Sequence, residues 1–98
     1  MKIGYVQNSP IFGKKQQNFK EIHNLLKWVK ADLIVLPEFF AIGYAFTSKE
    51  EAAKFAETDQ GETAEFLKKV SANTGAVVVG GFVEKNKVRI YNAAMTVY

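Results

Sequence analysis

An uninterrupted aliphatic run that ends in a proline and a carboxylate constrains this chain more than any other feature. Residues 33–36 read Leu-Ile-Val-Leu without polar alternation, and Pro37 and Glu38 follow directly. A short apolar run of this kind is typical of a strand buried on both faces of an α/β sheet. Proline has no backbone N–H, so Pro37 marks the end of the strand. The pattern predicts that Glu38 lies at the C-terminal edge of the sheet, where ligands and catalytic groups collect in α/β folds.

The residues before this strand predict a strand–helix–strand unit. A first strand over residues 2–7 is closed by the turn residues Asn8, Ser9 and Pro10. An amphipathic helix is expected over residues 16–30, because apolar residues recur there on one helical face. These residues are Phe19, Ile22, Leu25, Leu26 and Val29. The connection is long enough for the two strands to be parallel.

The residues after Glu38 predict a loop, two helices and a hairpin. Residues 39–46 are apolar and aromatic but contain Gly43, and we expect a loop packed over the sheet edge. Ser48 and Glu51 have the spacing of a capping box, which predicts a short helix to about residue 56. A second helix is expected over residues 62–73, ended by Gly75 in the left-handed conformation. Strands over residues 76–83 and 88–98 are expected to form an antiparallel hairpin. The predicted fold class is α/β with a mixed sheet.

Composition excludes several functional classes. The 13 basic and 10 acidic residues give a formal charge of +3, and the lysines are scattered, so no basic stripe indicates nucleic-acid binding. No apolar run approaches the roughly 18 residues of a membrane helix, and we expect no membrane partner. The absence of cysteine excludes disulfides, thiolate metal sites and a cysteine nucleophile from these residues. It fits a cytoplasmic protein.

Two further features have plain interpretations. His23 is the single histidine, and no second metal-binding group is spaced with it, so a boundary position on the first helix is favoured over a metal ligand. Gly80 and Gly81 match no phosphate-binding motif. This pair instead predicts close approach of another backbone to the sheet.

Several motifs in order resemble those of the nitrilase superfamily of carbon–nitrogen hydrolases. The sequence Leu-Pro-Glu at 36–38 is followed by Phe-Phe-Ala-Ile-Gly-Tyr at 39–44. A first strand ending in Gln7, a Gly-Gly-Phe strand at 80–82 and Tyr-Asn-Ala-Ala at 91–94 agree in order. The resemblance spans almost the whole chain. It implies a four-layer α-β-β-α sandwich, of which these elements form a part, and an assembly of two or more copies.

The resemblance also implies a chemistry. Members of this superfamily hydrolyse amides, nitriles or carbamoyl compounds with a Glu-Lys-Cys triad and without metal or organic cofactor. Glu38 stands at the position of the general base, whereas the lysine and cysteine positions lie beyond residue 98. The chain is therefore interpreted as the N-terminal segment, residues 1–98, of a single carbon–nitrogen hydrolase domain that is truncated on its C-terminal side. Alone it is expected to be inactive and to associate or aggregate.

The remaining site residues keep two interpretations each. Tyr44 and Phe39 could line a pocket for a small amide or nitrile substrate, or could belong to the core. Asn92 could hold the loop of the site by side-chain hydrogen bonds, or could be an ordinary asparagine near a strand end.

Three hypotheses for the whole protein remain open from the sequence. The first is a cysteine-dependent hydrolase, and the second is a non-catalytic nitrilase-like module that assembles with a partner. The third is an unrelated doubly wound binding domain, which a sheet with helices on both faces would favour.

Overall fold

Four strands form one mixed sheet in the order in which they occur along the chain. The computed structural model describes residues 1–98. Strands β1 (Ile3–Tyr5), β2 (Leu33–Val35) and β3 (Val77–Lys85) are parallel, and β4 (Ile90–Val97) is antiparallel to β3. The strand–helix–strand–helix–helix–hairpin order and the mixed α/β sheet are as predicted.

Helices α1 (Lys15–Leu26) and α3 (Glu62–Thr74) cover one face of this sheet. Both crossover connections move in the same direction across the sheet, and right-handed crossovers then place their helices on the same face. The rings of Phe19 on α1 and Phe66 on α3 stack with centroids 4.4 Å apart. Helices α1 and α3 therefore lie on the same face of the sheet. The doubly wound alternative requires helices on both faces and is not favoured.

The core lies between these helices and the sheet. Its side chains are almost completely buried and come from both layers: Ile22, Ile34, Phe40, Leu67 and Val78. The opposite face of the sheet is not covered by α1 or α3. Because alternate residues of a strand point to opposite faces, Ile3 and Tyr5 project from that uncovered face, where they are 62% and 78% exposed.

Several element boundaries differ from the predictions. Helix α1 ends at Leu26 instead of near residue 30, because a turn closed by Val29 N–H donating to the Leu26 carbonyl redirects the chain toward β2. Leu25 is 54% exposed, so its predicted core position is wrong. Helix α2 (Lys49–Ala53) is shorter than predicted, because Glu57 N–H donates to the Val83 carbonyl and the chain there follows β3. The turn between β3 and β4 spans residues 86–89 instead of 84–87, so it has the predicted length but lies two residues later.

The predicted helix caps are present. The Ser48 hydroxyl accepts a hydrogen bond from Glu51 N–H at 3.1 Å at the start of α2. Gly75 ends α3 in the left-handed conformation with φ 75°. Both signals are local, so the sequence is sufficient to predict them.

Candidate active site

Glu38 lies just beyond the C-terminal end of β2, as the position of Pro37 predicts. Beyond β2, Leu36 N–H donates to the Val79 carbonyl at 2.7 Å, and the Pro37 carbonyl accepts a longer hydrogen bond from Gly81 N–H at 3.4 Å. The Glu38 side chain is exposed to solvent. A carboxylate therefore stands at the edge of the sheet where α/β folds carry their ligands.

The backbone immediately after Glu38 is strained. Phe39 has φ 53°, which is unusual for a bulky residue without a glycine's freedom. Its carbonyl accepts hydrogen bonds from Ile42 N–H at 3.2 Å and from Gly43 N–H at 2.8 Å, which hold the turn. A left-handed backbone conformation at a residue other than glycine costs free energy, and such residues are found most often at functional sites.

Gly81 leaves room for Glu38 on the uncovered face of the sheet. A Cβ atom at position 81 would lie 2.8 Å from Glu38 Cα and 3.3 Å from Phe39 N. A Cβ atom at Gly80 would instead meet Phe40 and Leu67 on the helix-covered face. The prediction of close backbone approach is confirmed at Gly81, where the approaching backbone is that of Glu38, whereas Gly80 makes room for side chains.

Asn92 on β4 reaches the same carboxylate. Its Nδ2 donates a hydrogen bond to Glu38 Oε1 at 3.1 Å, although the two residues are 54 positions apart in sequence. Asn92 lies opposite Val83 in the β3–β4 register, on the same face as Gly81. Its side chain therefore meets the carboxylate of Glu38 itself. The Glu38 Oε2 atom accepts no hydrogen bond from residues 1–98.

A groove of about 470 Å³ adjoins Asn92. Six of its ten lining residues are hydrophobic. The lining residues are Phe39, Phe46, Thr47, Ser48, Lys49, Ala52, Val83, Ile90, Tyr91 and Asn92. An apolar concavity with a few polar groups is the usual form of a small-molecule site.

Tyr44 does not line this groove. It is 61% exposed, and its ring contacts that of Phe39 edge to face with centroids 5.5 Å apart. Its role in substrate binding stays a prediction. His23 is exposed on α1, and no group of three or more His, Cys, Asp or Glu side chains is arranged to hold a metal ion.

A second carboxylate, that of Glu57, was not singled out by the sequence. It is buried, and its Oε1 accepts a hydrogen bond from Thr63 N–H at 2.8 Å. Its Oε2 accepts from the Thr63 hydroxyl and lies 2.8 Å from Lys15 Nζ. Burial raises the pKa of this carboxyl, but the hydrogen bonds from Lys15 and Thr63 outweigh it and hold the pKa below its usual value. No local pattern links Lys15 with Glu57, so this ion pair has no sequence signal.

The Asn18 side chain is hydrogen-bonded to the loop after Glu38. This side chain is 2% exposed, and its Nδ2 donates to the carbonyls of Ile11 and Ala41 at 2.9 Å and 2.7 Å. Its Oδ1 accepts from Ile11 N–H at 2.8 Å. Since all its polar groups are paired, Asn18 joins the loop after β1 to the loop that carries Glu38 and stiffens both.

A model of the carbon–nitrogen hydrolase family matches residues 2–97, which is nearly the whole chain. The chain belongs to the carbon–nitrogen hydrolase family. This finding confirms the resemblance drawn from the motifs around Glu38. The nitrilase of Pyrococcus abyssi is 37% identical over 101 residues, which cover 99% of this carbon–nitrogen hydrolase chain and 38% of that protein. The protein N-terminal amidase of Saccharomyces cerevisiae is 26% identical and is covered over 23% of its length.

Solved structures agree with this assignment. An N-terminal amidase with a Gln-Gly peptide superposes with a TM-score of 0.86 at 27% identity, over 98% of this chain and 24% of the amidase. A CN-hydrolase superfamily protein from Xanthomonas campestris, with an arsenic adduct in its active site, superposes with a TM-score of 0.80 at 27% identity, over 93% of this chain and 34% of that one. The carbon–nitrogen hydrolase chain thus spans well under half the length of these relatives. None of its helices combines the length and apolar character needed to cross a membrane.

Proposed function

We propose that residues 1–98 form the N-terminal part of a single hydrolase domain acting on non-peptide carbon–nitrogen bonds, and that Glu38 is its general base. One observation carries the assignment. Glu38 is an exposed carboxylate at the sheet edge, with Gly81 beneath it and Asn92 hydrogen-bonded to one of its oxygens. A base must reach the proton it takes, and an exposed carboxylate with an open oxygen can do so.

The proposed reaction follows the triad that the resemblance implies. Glu38 takes the proton of a cysteine thiol, and the resulting thiolate attacks the carbonyl or nitrile carbon. A lysine ammonium stabilises the charge that develops on the substrate. Glu38 then returns its proton to the leaving nitrogen and activates the water that hydrolyses the covalent intermediate. The lysine and the cysteine must come from outside residues 1–98, which contain no cysteine.

The contrast with Glu57 supports the choice of Glu38. Both oxygens of Glu57 are already paired, and its pKa lies below the usual value, so this carboxylate is a poor proton acceptor. Glu38 has one partnered oxygen and one open oxygen. Of the two carboxylates, only Glu38 has the freedom that a general base needs.

The proposed substrate is a small amide, nitrile or carbamoyl compound. The relatives are a nitrilase and an N-terminal amidase, the latter solved with short peptides that begin in Gln or Asn. The apolar groove beside Asn92 offers space for an uncharged acyl group. The reaction needs no metal or organic cofactor, because thiol, carboxylate and ammonium together supply the nucleophile, the base and the charge stabilisation.

A second candidate is a non-catalytic module that assembles with a partner chain. The exposure of Ile3 and Tyr5 on the uncovered sheet face favours it, since apolar side chains on such a face are typical of an interface. Turnover by a complete domain that depends on Glu38 would exclude this candidate.

The test is Glu38→Gln in a family-length chain that contains residues 1–98. This change keeps the shape and removes the base, so turnover should fall by roughly 10²–10⁴-fold. The thermal midpoint should stay nearly constant, because Glu38 is exposed and glutamine keeps its shape. Glu38→Asp should also be slow, since the shorter side chain withdraws the base from the thiol.

Glu21→Gln is the matched control, because Glu21 is an exposed glutamate on α1 away from the site. It should leave both turnover and midpoint unchanged. Retained turnover of Glu38→Gln together with a lowered midpoint would make Glu38 a structural residue and end this proposal.

A further inference from the structure

The two oxygens of the Glu38 carboxylate stand in different environments. Oε1 accepts the hydrogen bond of Asn92 Nδ2 at 3.1 Å, and Oε2 has no partner among residues 1–98. A carboxylate without hydrogen-bond partners can rotate about the last torsion of its side chain. A hydrogen bond to one of its oxygens restricts that rotation. The asymmetry therefore fixes which oxygen faces outward.

We propose that Asn92 is a positioning residue, which holds Oε1 and leaves Oε2 as the oxygen that takes the proton. This inference rests on the proposed role of Glu38 as general base. In the step concerned, the thiol proton moves to Oε2, the thiol becomes a thiolate, and the carboxylate becomes a carboxylic acid. When the acid later gives its proton to the leaving nitrogen, Oε2 is restored. Oε1 accepts the Asn92 hydrogen bond throughout.

An asparagine amide suits this task chemically. Its NH₂ group is a donor and cannot accept a proton from the acid, so it does not compete with the substrate. It is also uncharged, and its bond to Oε1 persists whether Oε2 is ionised or protonated. A lysine or arginine at the same place would favour the ionised carboxylate and so oppose its protonation.

The position of Asn92 gives the contact its precision. Asn92 lies within the continuous antiparallel register of β3 and β4, which pairs residues 78–85 with residues 90–97. Gly81 on β3 lies directly under the Glu38 backbone, so one hairpin supports the main chain and the carboxylate of Glu38. Sites built on regular strands hold their groups more precisely than sites built on loops.

The inference is tested with Asn92→Leu and Asn92→Asp in the family-length chain. Leucine has nearly the same shape and no donor, while aspartate has the same shape and is an acceptor beside Oε1. A misplaced reacting group can cost on the order of 100-fold in rate, so Asn92→Leu should lower kcat by about 10- to 100-fold. KM should change much less than kcat, because the other residues that line the groove remain. Asn92→Asp should lose at least as much, because like charges repel.

A double variant distinguishes positioning from a merely structural role. If Asn92 acts only through Glu38, then Asn92→Leu combined with Glu38→Gln should be no slower than Glu38→Gln alone. The thermal midpoints of both Asn92 variants should stay within a few degrees of the parent, because Asn92 is exposed. Asn24, an exposed asparagine on α1, provides the matched controls Asn24→Leu and Asn24→Asp, which should keep kcat.

Two outcomes overturn the inference while the proposed function stands. They are an unchanged kcat in Asn92→Leu, and losses that multiply in the double variant. The proposed function fails separately, if Glu38→Gln itself retains turnover. A uniform loss of folded protein in both Asn92 variants, with normal kcat per folded molecule, would assign Asn92 a structural role and also overturn the inference.

Discussion

Adding a single methyl group at Gly81 should lower activity much more than it lowers stability. In Gly81→Ala, the new Cβ atom would lie 2.8 Å from Glu38 Cα, 3.3 Å from Phe39 N and 3.6 Å from the Ala93 carbonyl oxygen. All three contacts are with main-chain atoms. No change of rotamer can relieve them, so the backbone that carries Glu38 must move away from the sheet.

The size of that movement sets the expected loss. Two carbon atoms pack best at about 3.5–4.0 Å, so the contact with Glu38 Cα is short by roughly 0.7 Å or more. A displacement of about 1 Å at a reacting group can lower the rate on the order of 100-fold, and we expect a turnover loss of about that size. Overpacking costs about 1–3 kcal/mol, partly offset by about 0.5–1 kcal/mol from replacing a flexible glycine. The net loss of stability should be about 1–2 kcal/mol.

Gly80→Ala is the matched control for this prediction. Its Cβ atom would lie 2.7 Å from Phe40 Cε1 and 3.2 Å from Leu67 Cδ2, which are side-chain atoms on the helix-covered face. It should therefore lower the thermal midpoint by a similar amount and leave turnover per folded molecule within a few fold. The assay measures midpoint and turnover of both variants in a family-length chain. Equal turnover losses, or an active Gly81→Ala, would refute the claim that Gly81 serves Glu38.

Two further predictions concern stability and association. The pKa of Glu57 is lower in the folded protein than in the unfolded chain. The ionised carboxylate therefore stabilises the fold fully above the unfolded pKa of about 4.3. This stabilisation is lost as the pH falls through the folded pKa. Glu57→Gln should lower the free energy of unfolding at pH 6 by about 2–4 kcal/mol and by less at pH 3, as measured by urea titration, and an equal loss at both pH values would contradict this. The 98-residue chain should form dimers or larger species, as measured by light scattering. Tyr5→Glu should reduce this association more than Trp28→Glu does, because Tyr5 lies on the uncovered sheet face and Trp28 is an isolated exposed side chain. A stable monomer at high concentration would contradict the prediction.

The parts of this fold that the sequence predicts are those set by neighbouring residues. Pro37 ends the strand and places Glu38 at the sheet edge, Ser48 caps α2, and Gly75 ends α3. Each effect acts over a few residues, so the pattern alone is sufficient. The predicted end of α1 shows the limit, because helical periodicity continues to Val29, past the point where the chain turns toward β2.

The contacts that define the site are not of this local kind. Asn92 and Glu38 meet across 54 positions, and Lys15 meets Glu57 only after α1 and α3 have packed. The sequence could name Asn92 as a candidate, but only the strand register brings its amide to the carboxylate. The register of a hairpin follows from its turn, and the sequence placed that turn two residues early, at 84–87 instead of 86–89.

The register of β3 and β4 couples folding to the proposed chemistry. Side chains alternate between the two faces of a strand, so a slip of one residue would turn Asn92 away from Glu38. The core opposes such a slip, because Met95 and Val97 of β4, the partners of Gly80 and Val78, pack against the core. The alternation that buries Val78 therefore also turns Gly81 and Asn92 toward Glu38. The supporting half of the site therefore forms together with the hairpin, when β3 and β4 pack in the observed register.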